Sequence, residues 1–261
     1  MTKKCVAFGE LLLRLKAPGF ERLFQTPSLE ATFGGGEVNA LVSLASFGWD
    51  TEILTGLPDH AVGDAAMAEL HARGVGTAGV ARKPGRIGSY FLEAGAAQRP
   101  SSVVYDRAGS VFSELESGDI DFAAAFEGAD VFLLSGITPA VSQQAADLAL
   151  EAIKCAKSMG LQTVLDFNYR SKLWQYGVEP PVVMAGLAEH ADVMVAGIED
   201  LAQRIKAKVL AVGQQNDARI YRDLCRAGAA DYLVLPVDEA SLVDALQTRD
   251  MPLQEPEEED C

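Results

Sequence analysis

Basic residues are scarce in this chain of 261 residues. It has 22 lysines and arginines against 37 aspartates and glutamates, which gives a formal net charge of −15. A protein that binds nucleic acid needs a surplus of basic side chains to neutralise the phosphates. The charge therefore argues against a nucleic-acid partner, although a few local arginines can still hold a small anionic ligand.

Cysteines and long apolar runs are also scarce. The four cysteines are scattered and show no paired spacing: Cys5, Cys155, Cys225 and Cys261. We therefore expect neither a disulfide framework nor a metal site. No apolar run approaches the length of a membrane span, and the apolar stretch after residues 1–4 is too short for a signal peptide. We expect a cytoplasmic protein without membrane contacts.

The chain is rich in short apolar runs that alternate with helical patterns. Runs that predict strands lie at residues 5–8, 52–55, 131–134, 163–167 and 193–196. Helices are predicted over residues 65–73 and 142–159, each followed by a glycine, Gly74 or Gly160. Near-continuous apolar strands separated by helices indicate an α/β fold, a three-layer Rossmann-like parallel sheet flanked by helices.

Three glycines at residues 34–36 stand directly before a helical pattern of Val38, Leu41, Val42 and Ala45. Glycines let the backbone approach a ligand closely, and a helix N-terminus offers N–H donors and a favourable dipole to anions. The segment therefore predicts either a ligand-binding turn or a tight loop with no further role.

Two segments interrupt the alternation of strands and helices. Residues 89–94 and 101–107 carry polar and aromatic side chains and predict a hairpin, which we interpret as a small lid. An edge hairpin without function is the alternative.

The candidate site lies where parallel strands end, because ligands of open parallel sheets bind beyond the carboxyl ends of the strands. Residues 135–139 and 166–170 follow two predicted strands, and the hairpin adds Tyr90, Tyr105 and Arg107. Arginine forks pair with a carboxylate, while tyrosine and asparagine serve hydroxyl groups. The set predicts binding of a small polyhydroxylated acid, although each side chain could instead lie on the surface or pack within the hairpin.

Five motifs, in this order, resemble the ribokinase-like (PfkB) carbohydrate kinases, and within them the 2-keto-3-deoxygluconate kinases, over residues 3–205. They are Gly-Gly-Gly-Glu-Val-Asn at 34–39, Thr-Gly-Leu-Pro-Asp at 55–59 with Val-Gly-Asp at 62–64, Val-Tyr-Asp-Arg-Ala-Gly-Ser at 104–110, Leu-Ser-Gly-Ile-Thr-Pro-Ala at 134–140 and Asp-Phe-Asn-Tyr-Arg at 166–170. The resemblance implies a ribokinase-like fold with a β lid, ATP and Mg²⁺ as cofactors, and lids that pair between subunits. It places Asn168 near the transferred phosphate and assigns the sugar acid to Gly35, Tyr90, Tyr105, Arg107, Ile137 and Arg170.

The second half departs from that family. Its Asn-x-x-Glu segment reads Gly-Ile-Glu-Asp at 197–200, and its Gly-Ala-Gly-Asp element, which carries the catalytic base, is missing. Asp231 is not a substitute, because a predicted helix precedes it and a predicted strand follows it. We therefore assign no catalytic residue and expect impaired phosphorylation of 2-keto-3-deoxygluconate or a similar sugar acid. A non-catalytic sugar-acid-binding or regulatory module is the alternative.

Residues 207–247 predict a strand, a helix, a strand and a helix, with helices over residues 218–226 and 239–247. Residues 226–236 resemble the final third of receiver domains of response regulators, without their phosphoacceptor, so we expect no phosphorelay chemistry. The predicted division is a substrate half with its lid at 1–205, a receiver-like segment at 206–248 that continues the sheet, and a disordered acidic tail at 249–261.

Overall fold

The computed structural model describes residues 2–170, 172–196, 208–213 and 229–234, and for the last two ranges the backbone alone. These ranges hold twelve strands: β1 Lys4–Phe8, β2 Leu12–Lys16, β3 Glu30–Gly34, β4 Asp50–Pro58, β5 Val80–Lys83, β6 Ser89–Glu93, β7 Ser102–Asp106, β8 Val131–Ser135, β9 Gln162–Asp166, β10 Val193–Ala196, β11 Lys208–Gly213 and β12 Ala229–Val234. The helices are α1 Gly36–Ser46, α2 Ala61–Ala72, α3 Phe122–Phe126, α4 Gln143–Ser158 and α5 Pro180–Ala188, with a 3₁₀ turn at Phe112–Glu114.

Eight strands form one parallel sheet, in the order β12-β11-β10-β9-β8-β1-β4-β5. Alternate residues of β1 enter two separate apolar cores: Val6 and Phe8 belong to one, Cys5 and Ala7 to the other. Helices α3, α4 and α5 contribute to the first core, and α1 and α2 to the second. Both faces of the sheet are therefore covered, which confirms the predicted three-layer α/β fold.

The other four strands form a second sheet in the order β3-β2-β6-β7. Strands β6 and β7 pair antiparallel and correspond to the predicted hairpin. That hairpin does not stand alone: β6 pairs in parallel with β2, which pairs antiparallel with β3. We call this four-stranded sheet the lid sheet, and it is twice as large as the hairpin that the sequence predicted.

The five predicted strands correspond to β1, β4, β8, β9 and β10, and the two predicted helices to α2 and α4. Helix α4 is capped by Ser142, whose Oγ accepts a hydrogen bond from the N–H of Ala145 at 3.1 Å. Gly74 and Gly160 have φ angles of +76° and +82°, the left-handed conformation that favours glycine after a helix. Strands β11 and β12 continue the sheet beyond β10.

Several predicted features of the second half lie outside the described residues. They are the segment at 197–200, the helices over residues 218–226 and 239–247, and the acidic tail. Within the described ranges, no helix is both long enough and apolar enough to cross a membrane.

Candidate functional site

The ends of β8 and β9 meet the N-terminus of α1 at one edge of the central sheet. Asn168 Nδ2 donates to Ser135 Oγ at 3.4 Å. A Cβ atom at Gly36 would lie 3.8 Å from Ser135 Oγ and 3.9 Å from Asn168 Nδ2. The structure therefore brings together three of the predicted segments, at the edge where the fold class places ligands.

Glu37 of α1 bonds to the turn that follows β8, and no role for Glu37 was predicted from the sequence. Its carboxylate is 3% exposed and accepts hydrogen bonds from the Ser135 N–H at 3.1 Å and from Thr138 Oγ1 at 2.5 Å. Burial raises the pKa of Glu37 to about 7, although these two hydrogen bonds and the charge of Arg107 oppose the rise. Glu37 thus ties the first turn of α1 to the turn that carries Ile137.

Gly136 makes that turn possible. Its N–H donates to the carbonyl of Asp166 at 2.7 Å, and a Cβ atom would overlap the carbonyl oxygen of Phe167. Because the backbones approach so closely, only glycine fits. The next residue, Ile137, places its backbone N–H 3.4 Å from Ser135 Oγ, at the junction of the three segments.

The two predicted tyrosines lie on one face of the lid sheet. Tyr90 and Tyr105 are cross-strand neighbours with ring centroids 6.2 Å apart. Arg14 of β2 is in register with Tyr90, and Thr32 of β3 is in register with Arg14. Residues directly opposite each other share a face of a sheet, so these four form one row. Arg14 was not predicted as a site residue, because β2 was not recognised as a strand from the sequence.

Arg107 is tied to the central sheet by Glu10. Arg107 is 7% exposed, and its Nε donates to Glu10 Oε2 at 2.6 Å. Ser110 Oγ donates to the other oxygen of Glu10 at 2.7 Å. A Cβ atom at Gly35 would overlap the backbone oxygen of Glu10. Glu10, which the sequence analysis also missed, therefore contacts both the glycine turn and the lid arginine.

Asn168 and Arg170 follow β9 in a loop. Asn168 has a φ of +35°, in the left-handed region that asparagine tolerates better than most residues. Arg170 is exposed, and its Nη1 donates to the backbone oxygen of Tyr169 at 3.1 Å. Among the described residues, no hydrogen bond joins Arg170 to Arg107 or to the lid tyrosines, so its part in the site stays a prediction.

Comparisons to known proteins agree with the observed fold. Residues 2–222 match the model of the pfkB family of carbohydrate kinases. A 2-dehydro-3-deoxygalactonokinase of Haloferax volcanii is 34% identical over 201 residues, and a 2-dehydro-3-deoxygluconokinase of Dickeya dadantii is 25% identical over 206 residues. The crystal structure of a 2-dehydro-3-deoxygluconokinase from Thermotoga maritima superposes with a TM-score of 0.76 at 38% identity, covering 86% of this chain and 68% of that one.

This chain spans less than two thirds of the length of the two curated relatives named above. The aligned residues are 77% and 76% of this chain but 63% and 64% of the relatives, less than two thirds of each. The family match extends across residues 206–222 of the segment that resembles a receiver domain, and that resemblance stays a prediction. Matched over 221 of its 261 residues, the chain belongs to the PfkB family of carbohydrate kinases.

Proposed function

We propose that this chain binds a 2-keto-3-deoxy sugar acid and phosphorylates it with ATP, more slowly than relatives that retain the Gly-Ala-Gly-Asp element. One observation carries the binding part: Glu10 contacts the backbone at Gly35 and the guanidinium of Arg107. The glycine turn and the lid arginine are therefore neighbours, although Gly35 and Arg107 are 72 positions apart in the sequence.

The side chains around this point suit such an acid. Arg107 and Arg170 offer guanidinium groups to its carboxylate, and Tyr90 and Tyr105 offer phenol groups to its hydroxyls. Gly35 and Ile137 contribute backbone groups. Two of the matched relatives are named for 2-dehydro-3-deoxygluconate, which is the same compound as 2-keto-3-deoxygluconate, and one for the galactonate epimer.

The transferred phosphate of ATP is expected near Asn168, where the ends of β8 and β9 meet the N-terminus of α1. Asn168 Nδ2 lies beside the N-terminus of α1, where the helix dipole and backbone N–H groups favour an anion. A hydroxyl oxygen of the sugar would form a bond to the γ-phosphorus of ATP. The bond between that phosphorus and the bridging oxygen would break, and ADP would leave with that oxygen. No group of three metal-ligating side chains occurs among the described residues, so Mg²⁺ binding stays a prediction. Because the proposed reaction uses ATP, we expect it to run in the cytoplasm.

The proton of the attacking hydroxyl has no assigned acceptor. Asp231 lies inside β12, a strand, and not at the start of a helix as a base of this family would. Loss of the base and its anion-binding glycines is expected to lower the rate by orders of magnitude. Under this proposal the chain divides into residues 1–205, which bind the substrate, and residues 206–248, which extend the central sheet. The same absence favours the second candidate, a non-catalytic sugar-acid-binding module.

Two measurements test the proposal. Calorimetry with 2-keto-3-deoxygluconate and its galactonate epimer should show binding of at least one. A coupled ADP-release assay, run beside the Thermotoga maritima kinase, should show slow turnover that needs the sugar acid. Turnover equal to that of the kinase would refute the impairment, binding without turnover would favour the second candidate, and no binding would reject both.

Exposed apolar side chains of the lid sheet and of the loop between β2 and β3 offer a surface to a second copy of this chain. Phe20, Phe24 and Val104 are 69%, 70% and 51% exposed, and Phe24 lies 6.3 Å from the ring of Phe91 in β6. We expect a homo-oligomer through this apolar surface. Sedimentation velocity should show a dimer for the parent and a monomer for Phe20→Asp, and a monomeric parent would reject this contact.

A further inference from the structure

We infer that Arg14 is a further substrate-binding residue, which pairs with the carboxylate of the sugar acid and makes the site prefer acids over neutral ketoses. The inference rests on the proposed function and adds to it the group that selects the substrate's charge.

The position of Arg14 supports this assignment. Arg14 stands in register with Tyr90, which stands opposite Tyr105, so all three lie in one row on one face of the lid sheet. Burial raises the pKa of Tyr90, and the charge of Arg14 opposes that rise, as expected for a cation close to the phenol. A ligand that contacts the two tyrosines would therefore lie within reach of the guanidinium.

Arg14 also lacks the carboxylate partners that other cations in and next to the lid sheet have. Its Nε is buried and makes no hydrogen bond within the described residues. Lys16 pairs with Glu30 at 2.9 Å, Arg99 with Glu93 at 3.7 Å and Arg107 with Glu10 at 2.6 Å. A buried polar atom without a partner is costly, and an anionic ligand would satisfy it.

The space beside Arg14 admits such a group. A cavity of about 160 Å³ is lined by Arg14, Lys16, Glu30 and Thr32. Lys16 and Glu30 cancel each other's charge, so Arg14 supplies the net positive charge of the lining. Glu10 compensates the charge of Arg107, whereas Arg14 Nε makes no hydrogen bond within the described residues. Arg14 therefore adds to Arg107 and Arg170 an uncompensated positive charge that favours an acid.

The test compares two ligands that differ in one group. 2-Keto-3-deoxygluconate carries a carboxylate at C1, and 3-deoxyfructose carries a neutral hydroxymethyl group there. Calorimetry on the full chain should show that Arg14→Met weakens binding of the acid roughly 10- to 100-fold, because a charge-assisted hydrogen bond is lost. Binding of the neutral ketose should stay unchanged. Arg99→Met, which removes a lid cation that already has a carboxylate partner, should change neither affinity.

Each outcome decides between the claims. Equal acid affinity in Arg14→Met and the parent would overturn the role of Arg14 and leave the proposed function standing. No binding of either sugar acid by the parent would overturn both. If Arg14→Met fails to fold, the neutral but polar Arg14→Gln replaces it. A fall in acid affinity with an unchanged ketose affinity supports the assignment, and an acid affinity equal to the parent's rejects it.

Discussion

Glu10 and Arg107 are 97 positions apart in the sequence, yet Arg107 Nε donates to Glu10 Oε2 at 2.6 Å. Their side chains are 1% and 7% exposed. Glu10 follows β1 of the central sheet and Arg107 follows β7 of the lid sheet, so this buried ion pair joins the two sheets.

Glu10→Ala is expected to lower the free energy of unfolding by about 3–5 kcal/mol, because it leaves the guanidinium of Arg107 buried without its counter-charge. Urea denaturation measures the loss. The control is Glu69→Ala, which breaks an exposed pair with Arg73 at 2.9 Å and should cost less than about 1 kcal/mol. Equal losses of unfolding free energy in the two variants would show that the buried pair contributes no more to stability than the exposed one.

Glu37 should make stability depend on pH. Its folded-state pKa of about 7 lies above its ordinary value of 4.5, so the folded protein keeps a proton that the unfolded chain releases. This contribution to stability is complete below pH 4.5 and is lost as the pH rises through 7. Relative to Glu37→Gln, which stays neutral, the parent should lose on the order of 3 kcal/mol across that window. Urea denaturation at several pH values measures the difference, and parallel curves for the two proteins would contradict the shift.

Gly136→Ala should destabilise the protein by several kcal/mol. The added Cβ would overlap the carbonyl oxygen of Phe167 and come within 2.9 Å of Met184 Cε, so the turn or β9 has to move. Gly186→Ala is the matched control, because Gly186 lies in α5 and, apart from its chain neighbours and the backbone of its own helix, no atom lies within 4 Å of the added Cβ. Alanine there should stabilise the helix by up to about 1 kcal/mol. Thermal unfolding of the two variants measures the difference, and equal midpoints would show that the turn at Gly136 tolerates a side chain.

Arg170→Ala should weaken sugar-acid binding roughly tenfold without lowering the free energy of unfolding. Its guanidinium is exposed and bonds only to the neighbouring carbonyl of Tyr169 among the described residues, so the fold does not depend on it. Lys172→Ala removes another exposed cation of the same loop and should leave binding unchanged. Calorimetry separates the variants. An Arg170→Ala affinity equal to the parent's would remove Arg170 from the site.

The central sheet was predictable because its strands are buried on both faces. Strand β1 is an example, because its four consecutive apolar residues Cys5–Phe8 are all buried. The lid strands β2 and β3 carry charged and polar residues such as Arg14, Glu30 and Thr32, so no continuous apolar run marks them. Their pairing partners decide that they are strands.

Some features of the candidate site could likewise be predicted from the sequence, and others only from the tertiary structure. The sequence by itself predicted that segments 34–36, 135–139 and 166–170 would meet. For the last two the reason is that they follow the neighbouring parallel strands β8 and β9, whose carboxyl ends share one edge. Only the tertiary structure decided that Glu37 spans two of these segments, that Glu10 neutralises Arg107 and that Arg14 lies beside Tyr90. These relations join residues between 76 and 101 positions apart. Such pairings follow from packing and strand register, which no local pattern encodes.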